Sequence, residues 1–254
     1  MSEALVVTQH DDVLVIAINR PEARNALDAV VAHGVAEAVD ELDSSDELRV
    51  GVLTGAGGTF SSGMDLKAFV RGETPLIEGR GLCGITVTPP RKPLIAAVEG
   101  FALAGGLELV LACDIVVAAR SAMFGVPEVK RALIAGGGGA LLLPKRIPAA
   151  FALEMLLTGD PVTAEKAAAF GLVNRVVEDG AALDEALVLA RTIALNGSLA
   201  VAVTKQIARA TVDWSWQQGW TEQEQLILPV ITSQDATEGA TAFAEKRPPR
   251  WTGR

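Results

Sequence analysis

The sequence predicts an α/β fold followed by a helical C-terminal region, and three observations carry that expectation. A strand, helix, strand succession runs from Asp12 to Gly55, at the spacing of a crossover unit. A second apolar strand, Lys92 to Gly100, again ends in glycine and leads into a helical segment. From about Ala181 the apolar spacing is helical almost to the end of the chain.

Taken in order, "ALVVTQ" and "DVLVIAINR" read as two extended segments joined by the polar "HDD", a hairpin. Leu27 to Leu42 has Leu, Val and Ala at helical spacing, with Asp28 as its cap. "RVGVLTG" from Arg49 is a short buried strand stopped by "GAGG", and "MDLKAF" starts a helix. Arg71 to Arg91 reads as irregular at both ends and helical in its middle, the kind of long connection that forms the mouths of sites. After the strand "KPLIAAVEG" comes a helix around "GGLELVLA", then extended chain in "DIVVAARSAMFG" and a later strand in "GLVNRVV". The C-terminal helices have apolar faces and no strand beside them, so they must cover the core or another subunit. The basic, proline-rich "RPPRWTGR" reads as a surface segment.

Composition narrows the function classes. Half of the 254 residues are hydrophobic, enough for a real core in one large domain or two small ones. A net charge of -9 argues against tracking along nucleic acid, though not against one local phosphate site. Cys83 and Cys113 make neither a disulfide framework nor a metal motif, and His10 and His33 with so few cysteines give no zinc pattern. No signal peptide and no uninterrupted apolar span are visible, so a soluble cytoplasmic protein is expected. Trp214, Trp216 and Trp220 read most simply as core or subunit contacts.

The informative feature is Glu108, one ionisable side chain inside "EGFALAGGLELVLACDIVV". If a helix begins near Gly105, the Gly105 N–H has no carbonyl partner, and Glu108 rises on nearly the same face. A free donor and a carboxylate could then address one small volume, the first steadying charge on an oxygen and the second moving a proton. Glu128, after "FGVP", also sits in apolar company, and two neighbouring carboxylates in low dielectric are pushed apart in pKa. Plainer readings stand beside this one: Glu108 in a structural pair with an arginine, Glu128 as a dipole-favoured residue at a helix start, and the glycines as turns.

Five stretches in order, "NRPEARNAL", "LTGAGGTFSSGMDLKAF", "KPLIAAVEGFALAGGLELVLACDIVVAARSAMFGVPE", "LTGDPVTAEKAAAFGLVNRVV" and "DATEGATAFAEKRPPRW", resemble the enoyl-CoA hydratase/isomerase (crotonase) superfamily over essentially the whole chain. The resemblance implies a spiral of repeated β-β-α units over residues 1–195. Residues 196–254 would form a helical region that covers the core and contributes to trimers, often paired into hexamers. It implies a 2-enoyl-CoA hydratase, or the reverse 3-hydroxyacyl-CoA dehydratase, in which the coenzyme is part of the substrate and no separate cofactor is needed. By that resemblance the Met64 and Gly105 N–H groups hold the thioester oxygen, Glu108 orients and deprotonates water, and Glu128 supplies the C2 proton. Arg24 and Lys67 match positions near the CoA phosphates or adenine, and the Ser62 carbonyl one that accepts from the adenine amino group. Lys246 and Arg247 match basic residues that reach a neighbouring subunit's ligand. Ala135, where the family usually has proline, and "ALLLPKRIP" put chain-length preference rather than chemistry in question. "GMDLKA" with "AVEG" looks closer to relatives acting on branched, steroid-derived or carnitine-linked thioesters. The alternatives are an isomerase, a carnitinyl-CoA dehydratase-like enzyme and, ranked lower, a non-catalytic acyl-CoA binder or RNA binder.

Overall fold

The computed structural model describes residues 4–253. It opens with the expected hairpin, β1 (Leu5–His10) antiparallel to β2 (Val13–Ile18), closed at Asp11, whose φ is 55°. A short 3-10 turn (Pro21–Ala23) precedes α1 (Ala29–Ser44), where the Asp28 carboxylate accepts the Val31 N–H. The helix therefore starts two residues later than its apolar spacing suggests. Leu27 is buried outside it, bridged to Met64.

β3 (Val50–Gly55) leads to the glycine-rich loop and α2 (Leu66–Val70), capped by Asp65. The 71–91 segment departs from expectation. Instead of a central helix it holds a small hairpin, β4 (Leu76–Ile77) with β5 (Gly81–Leu82). Gly79 and Gly81 at φ 71° and 78° reverse the chain there, and the two apolar stretches are too short to give a helix a buried face.

β6 (Leu94–Val98) is followed by an unforeseen strand, β7 (Phe101–Leu103), and only then by α3 (Gly105–Ala112). Gly100 makes the step between sheets, at φ 56° and so close to the 55–63 loop that a Cβ would stand 2.4 Å from the Gly58 oxygen. The same step recurs in β8 (Ile115–Ala119) and β9 (Met123–Gly125), before a 3-10 turn (Pro127–Arg131). Then come α4 (Gly139–Arg146), α5 (Ala149–Thr158), β10 (Val162–Thr163), α6 (Ala164–Ala169) and β11 (Arg175–Val177). The main sheet runs β1-β2-β3-β6-β8-β11, parallel after its first pair, and a second sheet runs β10-β9-β7. The units β6–β7 and β8–β9 thus each place one strand in each sheet, as a β-β-α spiral requires, and the β3 unit touches the second sheet through a Ser61–Ala102 bridge.

Alternation along the strands explains why the main sheet is buried on both sides. Val13, Val15, Val50, Val52 and Ile95 face α7 (Ala182–Ala194). Leu14, Ile16, Ile18, Leu53 and Leu94 face the core beneath α1 and α3. After α7 the chain bends by 109° into α8 (Ser198–Ala210), then continues into α9 (Trp216–Ile231) and α10 (Gln234–Glu245). Neither α8 nor α9 buries a residue within the chain. Trp216 and Trp220 stack edge to face at 5.7 Å and are 82% and 54% exposed, so these two are not core. The C-terminal tail is tied down: the Trp251 indole donates to the Leu195 carbonyl, and the Thr252 and Gly253 N–H groups donate to Asp235.

One carboxylate fastens α8 to the body. Asp114 accepts the Leu94 N–H at 2.8 Å and pairs with Lys205 at 2.6 Å and Arg209 at 2.9 Å. The Lys205 side chain is only 9% exposed, so removing its partner strands a largely buried cation. Asp114→Ala is expected to lower unfolding free energy by about 3 kcal/mol in urea denaturation, with hydrogen exchange speeding first in α8.

Candidate active site

Two backbone amides and two carboxylates meet in one chamber of about 970 Å³. The first amide is set by the N-terminal motif. Leu27 N–H donates to Gly63 O and Asp65 N–H donates to Leu27 O, both at 2.8 Å, which clamps the chain on either side of Met64. Gly63 must be glycine: its φ is 93°, and a Cβ would meet the Ala104 Cβ at 2.6 Å. Arg20 locks this loop, donating to Ala26 O at 2.6 Å and pairing with Asp28 at 2.9 Å and Asp65 at 3.0 Å. Buried Asn25 adds a second tie through Ala56 O and Thr59 O.

The second amide belongs to Gly105, the first residue of α3. Ala104 before it takes φ 51°, ψ -125°, an uncommon conformation for a residue with a Cβ, held by its N–H bond to Gly125 O. A Cβ on Gly105 would stand 3.5 Å from Met64 N, so the two amides are neighbours. Neither donates to a backbone or side-chain acceptor among the described residues. Gly106 lets α3 press onto the loop, since a Cβ there would sit 2.4 Å from Ser61 O.

Glu108, 4% exposed, is held by backbone rather than by an arginine. Gly139 N–H, at the start of α4, donates to its Oε1 at 2.8 Å. The amides of Gly137 and Gly138 also favour its charged form. Burial outweighs these donors and, with the nearby charge of Glu128 adding to it, pushes the Glu108 carboxyl up to about 7. A Cβ on Gly137 would come within 2.5 Å of Oε2, so the glycine run "AGGGG" is the space that this carboxylate occupies.

Glu128 stands in the Pro127–Arg131 turn, lining the same chamber, with its Oε2 buried and unpartnered. Burial raises its pKa too, opposed by its own N–H and by Arg131. A carboxyl group with one orphaned, buried oxygen, on a residue that lines the cavity beside a backbone-held carboxylate, fits a proton-transfer role better than a structural ion pair.

Arg24, Ser62 and Lys67 line the chamber as well. Lys246 and Arg247 do not, within one chain. Arg247 is held by both oxygens of Glu238, at 2.7 and 2.9 Å, and by Glu245 at 2.6 Å, while Lys246 ends α10 at φ 56°. Sequence reasoning missed the Arg20 clamp, the Gly137–Gly139 cradle and Arg131. Only the glycine run carried a visible signal for any of them.

A sequence model of the family described as Enoyl-CoA hydratase/isomerase matches residues 8–254. The solved enoyl-CoA hydratase of Mycobacterium marinum is 57% identical, covers all of both chains and superposes with a TM-score of 0.98. That of Mycobacterium tuberculosis H37Rv is 56% identical over the same full coverage, also with a TM-score of 0.98. A carnitinyl-CoA dehydratase of Salmonella enteritidis PT4 is 42% identical, again over 100% of both chains.

The upward shift of Glu108 has a thermodynamic signature. Its folded pKa of about 7 lies above the ordinary 4.5, so the folded state binds the proton more tightly. The penalty is absent below the lower value and is fully present above the higher one. Glu108→Gln keeps an oxygen for the Gly139 N–H and removes the charge. Relative to wild type it is expected to be more stable at pH 8 by at most about 3 kcal/mol, the gap closing toward pH 4 in thermal or urea unfolding.

Proposed function

The chain belongs to the enoyl-CoA hydratase/isomerase family, and from that premise we propose that Met64, Gly105, Glu108 and Glu128 add water across C2–C3 of a 2-enoyl-CoA thioester, or remove it from a 3-hydroxyacyl-CoA. The enzyme is a hydro-lyase of the enoyl-CoA hydratase type, acting in acyl-CoA metabolism. The observation that carries the residue assignment is the convergence of two shifted carboxylates beside two disengaged amides.

The thioester oxygen sits between the Met64 and Gly105 N–H groups, and the α3 dipole adds to their pull as negative charge gathers there. Water lies between the carboxyl groups. Ionised Glu108 takes one of its protons, the oxygen bonds to C3, and Glu128 delivers its proton to C2, collapsing the enolate. Turnover leaves Glu108 protonated and Glu128 ionised, and a proton passing back between them resets the site. The reverse elimination uses the same groups with roles exchanged. CoA, as part of the substrate, extends toward Arg24 and Lys67 for its phosphates and toward the Ser62 carbonyl for its adenine.

An isomerase needs a single proton shuttle, and the second carboxylate with its orphaned oxygen favours hydration over it. A carnitine-linked thioester is the second reading, supported by the name of the Salmonella relative. The exposed indoles of α9 and the empty faces of α8 and α9 support a homotrimer, alone or paired into a hexamer, in which Lys246 approaches a neighbour's ligand. Arg247 stays with Glu238 and Glu245 unless that pairing is exchanged. No single helix among the described residues is long and apolar enough to cross a membrane, and the two cysteines are free, buried thiols, which together support a cytoplasmic placement.

Loss of the conjugated enoyl absorbance on hydration measures the reaction. Glu108→Gln and Glu128→Gln are each expected to lower kcat/KM by about 10²-fold or more, and an intact kcat/KM in either would overturn the assignment. In the hydration direction wild-type activity rises through about pH 7 as Glu108 ionises, and Glu108→Gln loses that limb. For assembly, Trp216→Ser with Trp220→Ser shifts the sedimenting species toward monomer.

A further inference from the structure

Cations left without a carboxylate partner are informative in a chain of net charge -9. Arg20 lines the chamber but is tied to Asp28 and Asp65, and Lys130, beside Arg131, is paired with Asp160. Arg24, Lys67 and Arg131 line the same chamber and have no ion pair among the described residues. The hydratase reading gives Arg24 and Lys67 to the CoA phosphates and leaves Arg131 without a task.

Its place in the chain suggests one. Arg131 ends the turn that carries Glu128 and is followed by Leu133 and Ile134, which also line the chamber. Arg24, Ser62 and Lys67 come from a different stretch of the lining, residues 20–76. On the hydratase reading, a thioester oxygen on Met64 and Gly105 with CoA at Arg24, Ser62 and Lys67 leaves the Glu128 turn, and Arg131 with it, for the acyl carbons. Resting on the hydratase reading, we propose that Arg131 is a specificity-determining residue that selects 2-enoyl thioesters whose acyl group ends in a carboxylate, monothioesters of an unsaturated dicarboxylic acid.

The guanidinium fork pairs with a carboxylate through two parallel N–H bonds, gains little from a methyl end, and repels a quaternary ammonium. A second effect runs through Glu128. Arg131 draws that carboxyl down against the push of burial, disfavouring the protonated form needed at C2. An anionic acyl end neutralises Arg131 and returns Glu128 toward its proton.

The test compares kcat/KM of wild type, Arg131→Met and Arg131→Lys on 2-enoyl-CoA thioesters of matched length ending in methyl, carboxylate or trimethylammonium. Wild type is expected to favour the carboxylate over the methyl end by about tenfold or more and to turn over the ammonium end least. Arg131→Met brings the carboxylate-to-methyl ratio to about one, and Arg131→Lys keeps part of it. A wild-type preference for the methyl or ammonium end, or an equal loss on all three in Arg131→Met, overturns the proposal. If no enoyl thioester is turned over, calorimetric binding of the saturated methyl- and carboxylate-ended acyl-CoA thioesters reads the same ratio. A preference that vanishes in Arg131→Met then upholds the role of Arg131 while the hydratase reading fails, and equal binding overturns the role of Arg131.

Discussion

The structure is organised around keeping the Glu108 carboxylate in an apolar interior without giving it a cation. An arginine partner would make it a permanent anion with a low pKa, a poor base at neutral pH. Backbone N–H groups at the start of α4 supply enough stabilisation for the charged form to exist, and burial keeps that form uncomfortable. The balance requires glycine at 137 and 139, because any side chain would take the space of the carboxylate oxygens. It also requires α3 and α4 to stay in register, so the core beneath them serves the site directly.

The two amides pose the complementary problem: an N–H must be left unused inside a protein, where nearly every other is paired. The fold solves it twice in different ways. Met64 is pinned on both sides by Leu27, so its own N–H points where no acceptor lies, and Arg20 fastens that loop from beneath through two aspartates. Gly105 relies on a helix start, where the first N–H groups have no partner, and on the left-handed turn at Ala104 that aims it. Asp28 and Asp65 each cap a helix and hold Arg20, so single side chains serve local structure and site geometry at once.

What was legible in the sequence follows from how far apart the interacting residues lie. The first hairpin, the Asp28 cap and the helix start at Gly105 rest on neighbours a few positions apart, and each could be read directly. The cradle of Glu108 comes from residues about 30 positions on, and Arg20 meets Asp65 from 45 positions away, distances at which spacing carries no information. β7 is three residues long, below the length at which alternation separates a strand from a turn. The tryptophans of α9 read as core or subunit contacts because large indoles are seldom left in water, yet composition alone cannot distinguish the two. Assigning the two glutamates to one chamber needed the ordered set of family motifs, since their sequence separation says nothing about their distance.

If Glu108 is the base of the proposed hydration, the chamber also has a consequence for its strength when substrate arrives. Water still reaches Glu108 from the open chamber, and even so its carboxyl is held near 7. In the proposed reaction an acyl chain in this chamber, which Leu82, Leu103 and Leu133 line, would displace that water and lower the local dielectric, further disfavouring the charged form. Glu108, while ionised, would then be a stronger base toward a water trapped beside it. In the proposed reaction the charge it gives up would pass to the thioester oxygen, held by the two amide dipoles. On this proposal the amide pair and the carboxylate pair stabilise opposite ends of one charge movement, and removing either side would leave the other with an uncompensated charge in a dry cavity.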